Sequence, residues 1–302
     1  MKFLLFSDLH HMTEYFMKGS LDDLLTIQKR AANENVEFII HAGDLTHGPS
    51  EDPDFVRTYN EFSIPSYHCL GNHDSDHTDY EETLKYYNMP DGHYYFDHGG
   101  YRFIVADPNY YFADGEYTHY SLGNYYKYGP YRDYMPPEQL EWLRETISSA
   151  PHPCIIISHE SFEREANGVK NQEDVRDIIN AANRVRPHSV LMCINGHHHR
   201  DFIRILDGVC YMEINSASYD YLPQAHDLYP EEICKKYRYA PHTIMYNDPL
   251  SAIITLEGTT IDIRGMESSL YMGISREMTG NPKLDPAGRA VYPRIQTTHI
   301  TL

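Results

Sequence analysis

Five short apolar runs in this sequence end in side chains that can bind a cation or move a proton. Asp8-Leu9-His10 follows the first, Gly43-Asp44 the second and Gly71-Asn72-His73-Asp74 the third. His159 follows the fourth and Gly196-His197-His198-His199 the fifth. A strand that stops this way puts carboxylate, imidazole and amide oxygen at its carboxyl end, the edge where open α/β sheets bind ligands. Strand alternation lets Asp8 and His10 face one point, and likewise His197 and His199, with His198 turned away. The set Asp8, His10, Asp44, Asn72, His159, His197 and His199 suits Fe, Mn or Zn better than Ca or Mg. Seven ligands are too many for one tetrahedral ion and match two divalent or trivalent ions sharing a carboxylate. Such a pair can activate a water and clamp both oxygens of an in-line phosphoryl displacement.

The elements that must position these residues alternate in type. Lys2 to Phe6, Val36 to Ala42 and Ile64 to Leu70 read as strands. Between them lie a helix from an N-cap at Ser20 to about Asn35 and a second from Pro53 to about Phe62. The first two strands form a βαβ unit, so parallel pairing is expected. A helix at 78–88 precedes a hairpin at 93–106 with a Gly-Gly turn. Helices at 136–149 and 173–184 alternate with buried strands at 154–157 and 189–194. Strands at 202–206, 209–214, 250–256 and 259–264 follow, with no further helix expected.

The stretch 109–134 holds nine tyrosines and no sustained period. It reads as a long ordered insertion, either a substrate lid or a contact between copies in a homo-oligomer. Residues 265–302 are left unassigned. No linker or repeat interrupts the chain, so one domain over 1–302 is expected.

Composition narrows the partners. The chain has 302 residues and a net charge of −19, which disfavours a nucleic-acid partner. No apolar run reaches the roughly 18 residues of a membrane helix, so no membrane partner is expected. The amino terminus leads straight into the first strand and reads as no signal peptide. Five cysteines lack CxxC spacing and read as free thiols of a cytoplasmic protein.

The ordered blocks Asp8-x-His10, Gly43-Asp44, Gly71-Asn72-His73-Asp74, His159 and Gly196-His197-x-His199 resemble those of the calcineurin-like metallophosphoesterases. The resemblance implies a two-sheet mixed α/β sandwich flanked by helices. It implies Asp8, His10, Asp44 and His199 on one metal, and Asn72, His159 and His197 on the other, with Asp44 bridging. It places His73 beside the substrate phosphate as the catalytic histidine rather than a ligand. In Gly43-Asp44-Leu45-Thr46-His47-Gly48, His47 stands where the family often has a second aspartate. Gly48 stands where its protein phosphatases add an arginine. What orients His73 is therefore open, with Asp74 one candidate. His11, His41, His47, His68, His98 and His198 read as structural. The motif forms look most like the bacterial phosphodiesterase branch. The expected activity is metal-dependent hydrolysis of a small phosphodiester or nucleotide, with a phosphomonoesterase or nucleotide pyrophosphatase as the alternative and a nuclease disfavoured.

Overall fold

The computed structural model describes residues 1–12, 17–164, 166–275, 277–279 and 291–302. Its first half runs β1 (Lys2–Phe6), α1 (Ser20–Asn33), β2 (Phe38–Ala42), α2 (Pro53–Asn60), β3 (Ser66–Cys69), α3 (Tyr80–Tyr86), β4 (Tyr94–His98) and β5 (Tyr101–Val105). Next come β6 (Tyr110–Ala113), β7 (Glu116–His119), α4 (Pro137–Ser148), β8 (Cys154–Ile157), α5 (Gln172–Val185), β9 (Val190–Asn195), β10 (Phe202–Leu206) and β11 (Val209–Glu213). The last part holds β12 (Tyr219–Tyr221), α6 (Glu231–Lys236), β13 (Thr243–Met245), β14 (Ala252–Glu257), β15 (Thr260–Arg264), β16 (Met266–Glu267), β17 (Arg294–Ile295) and β18 (Thr298–Thr301).

Two six-stranded mixed sheets carry the fold, ordered β18-β15-β14-β1-β2-β3 and β10-β11-β9-β8-β5-β4. The alternation of β1 shows how they pack. Phe3 and Leu5 face the core between the sheets, while Leu4 and Phe6 face outward onto the layer of α1 and α2. On the other sheet Ile155 and Ile157 of β8 point into the inter-sheet core. Cys154 and Ile156 face α4 and α5. Both faces of each central strand are covered, which is why these strands read as continuous apolar runs. Phe38 stacks on Phe3 at 5.2 Å and meets Phe103 of the opposite sheet edge-on at 5.1 Å. Phe38→Ala is expected to cost about 3–5 kcal/mol, the usual loss for a buried phenylalanine, measured by urea unfolding.

Strands β1, β2 and β3 are mutually parallel, as are β5, β8, β9 and β11. The five polar endings therefore leave their sheets in consistent directions. Three expectations need correction. Gly19, not Ser20, sits at the cap of α1, and the Ser20 hydroxyl lies 2.6 Å from His11 Nδ1 instead. Helix α6 lies in the part expected to hold none, with acids in its first turn and lysines in its last. The stretch 109–134 is not irregular: β6 and β7 form a hairpin around Asp114-Gly115, both at positive φ, and two 3₁₀ turns broken at Gly129 lie within Asn124–Tyr131. Residue 276 and residues 280–290, part of the unassigned carboxyl-terminal stretch, lie outside the described residues.

Candidate metal centre

Three of the five polar endings leave their strands through a sharp change of backbone. Asp8, His10, Asp44, His197 and His199 all have positive φ, between 49° and 66°. Non-glycine residues adopt this region at a cost, and such strain concentrates at functional sites. Glycines beside them make room. A Cβ on Gly43 would overlap the His159 ring, one on Gly71 the Asp44 carboxylate, and one on Gly196 Ser7 and Asp8.

The donor atoms gather in two groups. In the first, His10 Nε2 lies 3.2 Å from His199 Nε2 and 3.7 Å from Asp8 Oδ1, and His199 Nε2 lies 3.3 Å from that same oxygen. In the second, His159 Nε2 lies 3.0 Å from Asp44 Oδ2, with His197 in the same cluster. Asp44 Oδ2 is also 3.8 Å from His10 Nε2 and Asp8 Oδ1 is 3.8 Å from His159 Nε2, so the two carboxylates lie side by side between the groups, with Asp44 closer to His159 at 3.0 Å. Donors about 2.1 Å from one cation sit roughly 3.0–3.4 Å apart in octahedral or tetrahedral arrangement. The shortest separations here fall in that range. Asn72 Oδ1 is buried without a hydrogen-bond partner, as is His159 Nε2.

The hydrogen bonds behind these atoms say which nitrogen carries the proton. His159 Nδ1 is 2.8 Å from the Ala42 carbonyl and His199 Nδ1 2.9 Å from the Tyr219 carbonyl. A carbonyl only accepts, so each Nδ1 donates and each Nε2 is the nitrogen that faces the cluster. His199 and His10 facing each other at 3.2 Å, and His159 facing a carboxylate at 3.0 Å, are spacings that a cation shared between the donors would satisfy. The donors present thus fit cations of the first transition row. Protonation follows the same logic. Burial pushes the Asp8 carboxyl up, but His159 and His199 outweigh it and hold it well below the usual carboxylate range. Burial lowers His159, yet Asp44 and Asp8 lift it well above the ordinary imidazole value. His10 is pushed down to about 3 by burial.

All seven candidate ligands and His73 lie at this one edge. His73 donates its backbone N–H to Asp44 Oδ1 at 2.8 Å, and its ring centre is 5.3 Å from that of His10. Its side chain keeps 19% exposure, so it is reachable from solvent. Burial lowers it, but Asp44 and Asp76 raise it above the usual imidazole range.

Sequence reasoning missed two neighbours and misjudged one. Asp76 Oδ2 lies 2.7 Å from His73 Nδ1, answering what orients that ring. Asp74 does not: its oxygens accept from the backbone N–H groups of Gly71, Asp44 and Thr46 and from the Tyr87 hydroxyl, bracing two of the loops. His47, read as structural, bridges Asp76 at 3.0 Å and His10 at 3.1 Å. Of the other histidines set aside, His11 stacks on Phe55 and His41 is fully buried in β2. His198 turns its Nε2 to the Ala166 carbonyl, away from the cluster.

Residues 1–201 match the calcineurin-like phosphoesterase family, two thirds of the chain. The chain belongs to that family and is a metal-dependent hydrolase of phosphoester bonds. No curated protein matches it. Among solved structures it is similar to a dimetal phosphatase from Danio rerio, at 16% identity and TM-score 0.60, covering 87% of this chain and 95% of that one. It is also similar to GAP50, the anchor in the inner membrane complex of Plasmodium, at 14% identity and TM-score 0.57, over 100% of this chain and 89% of that one. At these identities the likeness shows the fold. No described helix is long and apolar enough to cross a membrane.

Proposed function

We propose that this protein hydrolyses a small phosphodiester or nucleotide-like ester at a binuclear centre. The observation that carries the reading is the pair of donor groups on either side of Asp44, with imidazole Nε2 atoms turned inward. Asp8, His10 and His199 would hold one ion, Asn72, His159 and His197 the other, and Asp44 both. Bound there, such ions supply Lewis acidity toward a phosphoryl oxygen and lower the pKa of a water. His73 has Nδ1 turned to Asp76 and its ring partly open to solvent, so Nε2 is the atom for the leaving oxygen. It acts there by charge stabilisation or proton donation. Gly48 in place of an arginine, and the form of the motifs, favour a diester over a phosphoprotein. The five free thiols fit a reducing, cytoplasmic compartment. One inter-sheet cluster holds both Phe3 and Ile300, which supports a single metallophosphoesterase domain.

The tyrosine-rich insertion is a fixed wall rather than a swinging lid. Its base is tied by Asp107 to His119 at 2.7 Å, and its tip by the Gly123 N–H to the Ser75 carbonyl at 2.9 Å. Tyr126 is 57% exposed, with its hydroxyl 3.4 Å from His73 Nδ1. A flat face with a polar tip suits a base or sugar. Tyr126→Ala is expected to cut kcat/KM about 2- to 10-fold more for a cyclic nucleotide than for a glycerophosphodiester, from ~0.5–1.5 kcal/mol per aromatic contact. Equal losses on both, or a changed oligomeric state, would assign the wall to structure or to subunit contact.

The proposal itself is tested with metal-depleted protein refilled with Mn²⁺, Fe²⁺ or Zn²⁺. It is assayed against bis- and mono-nitrophenyl phosphates and a panel of cyclic and linear nucleotides. Metal-restored activity that prefers diesters supports the reading. Preference for monoesters or pyrophosphates moves the assignment to the alternative.

A further inference from the structure

The Asp76 carboxylate accepts hydrogen bonds from four side chains. Oδ2 lies 2.7 Å from His73 Nδ1, 3.0 Å from His47 Nδ1 and 2.9 Å from the Tyr126 hydroxyl, and Oδ1 lies 2.7 Å from the Tyr125 hydroxyl. Its side chain is 4% exposed, so these bonds are not shared with bulk water. A carboxylate only accepts when ionised, and the His47 and His73 bonds hold it below the usual carboxylate range against burial. Each of the four neighbours must therefore turn a proton toward it, and three of those proton positions bear on the site.

His73 places its proton on Nδ1 and leaves Nε2 for the substrate. His47 places its proton on Nδ1, so its Nε2 becomes an acceptor, 3.1 Å from His10 Nδ1. His10 then donates from Nδ1, and its Nε2 lone pair turns to Asp8 and His199. Tyr125 spends its hydroxyl proton on Asp76 and accepts from Asn72 Nδ2 at 3.2 Å. That settles the Asn72 amide with Oδ1 facing the cavity, where it has no hydrogen-bond partner.

We infer that Asp76 is a positioning residue that sets the proton on His73, on His10 through His47, and the amide orientation of Asn72 through Tyr125. One carboxylate thereby orders the candidate catalytic histidine and one ligand of each proposed ion. It also assigns His47 and the insertion's Tyr125 a part in the site. The inference rests on the two-ion reading above. Groups behind metal ligands typically change metal affinity 10- to 100-fold when removed.

The test titrates Mn²⁺ calorimetrically into metal-free parent, Asp76→Asn, His47→Phe and Tyr125→Phe proteins, with long-range ¹H–¹⁵N correlation of the metal-free histidines. Asp76→Asn should weaken both binding events by about 10- to 100-fold and shift the Nδ1–H tautomer of His10 toward a mixture. His47→Phe should weaken one event and Tyr125→Phe the other. At saturating Mn²⁺, kcat of Asp76→Asn should still fall, with KM little changed. Parent protein that binds fewer than two ions would overturn the binuclear reading itself. Parent that binds two, with Asp76→Asn binding both equally well and keeping its His10 tautomer, would overturn the role of Asp76 alone. So would His47→Phe and Tyr125→Phe weakening both events alike. All three variants exchange groups of similar size, and circular dichroism of each must match the parent for the comparison to count.

Discussion

Asp44→Ala is expected to strip the centre of its metals and bring hydrolysis down to the background rate. Asp44, the proposed bridge, lies 3.0 Å from His159 Nε2 and 3.8 Å from His10 Nε2, whereas Asp8 lies 3.3 Å from His199 Nε2 and 3.8 Å from His159 Nε2. It also accepts the His73 backbone N–H, so its loss releases the catalytic loop as well. With that charge gone, two cations bound between His159 and His10 would lack the anion that offsets them in a buried site. Asp8→Ala should weaken mainly the ion held with His10 and His199. Elemental analysis of purified Asp44→Ala decides the matter: near-empty protein fits the bridging role, and two full metals per chain contradict it.

The second large effect concerns His73. His73→Asn should lower kcat about 10²- to 10⁴-fold, the usual contribution of a positioned acid–base group, while both metals stay bound. The loss should shrink for a nitrophenyl ester, whose leaving oxygen needs no proton, and grow for an alkyl leaving group. Equal losses for both would argue against proton donation and leave electrostatic stabilisation as the role. Metal loss in His73→Asn would instead make it a ligand.

Much of the fold could be read from strand alternation. Phe3/Leu5 against Leu4/Phe6 in β1 already encodes two covered faces, and the glycine and acid after each run mark where the strands stop. The hairpin inside the tyrosine-rich insertion was overlooked although Asp114-Gly115 is the strongest short-range turn signal. The crowd of aromatic residues around it masked the alternation of β6 and β7. Helix α6 escaped because six residues are too few for a period to stand out.

The site was legible wherever a ligand follows a strand directly, since local sequence then fixes its edge and side. Asp76 was not, because it acts from a 3₁₀ turn. His73 and Asp76 are three residues apart, and in that helix side chains at i and i+3 eclipse. The signal lies in Gly-Asn-His-Asp-Ser-Asp, where the i, i+3 spacing falls in a polar segment with no apolar stripe to mark a helix. Asp74, the nearer acid, points back into the loop backbone instead. His47 and Tyr125 come from segments 26 and 52 residues away from His73, a proximity that only the tertiary fold creates. The carboxylate beside His73 comes from its own loop, and His47 sits 3.0 Å from it.

The binuclear assignment is tested most directly by a crystal structure of Mn²⁺-loaded protein with anomalous scattering recorded at a manganese-sensitive wavelength. Two full peaks should appear about 3.5–4 Å apart, the spacing of two-metal phosphoryl-transfer sites. One should be bounded by Asp8, His10 and His199, the other by Asn72, His159 and His197, with Asp44 touching both. A single peak, or a pair in which Asp44 touches only one ion, would contradict it.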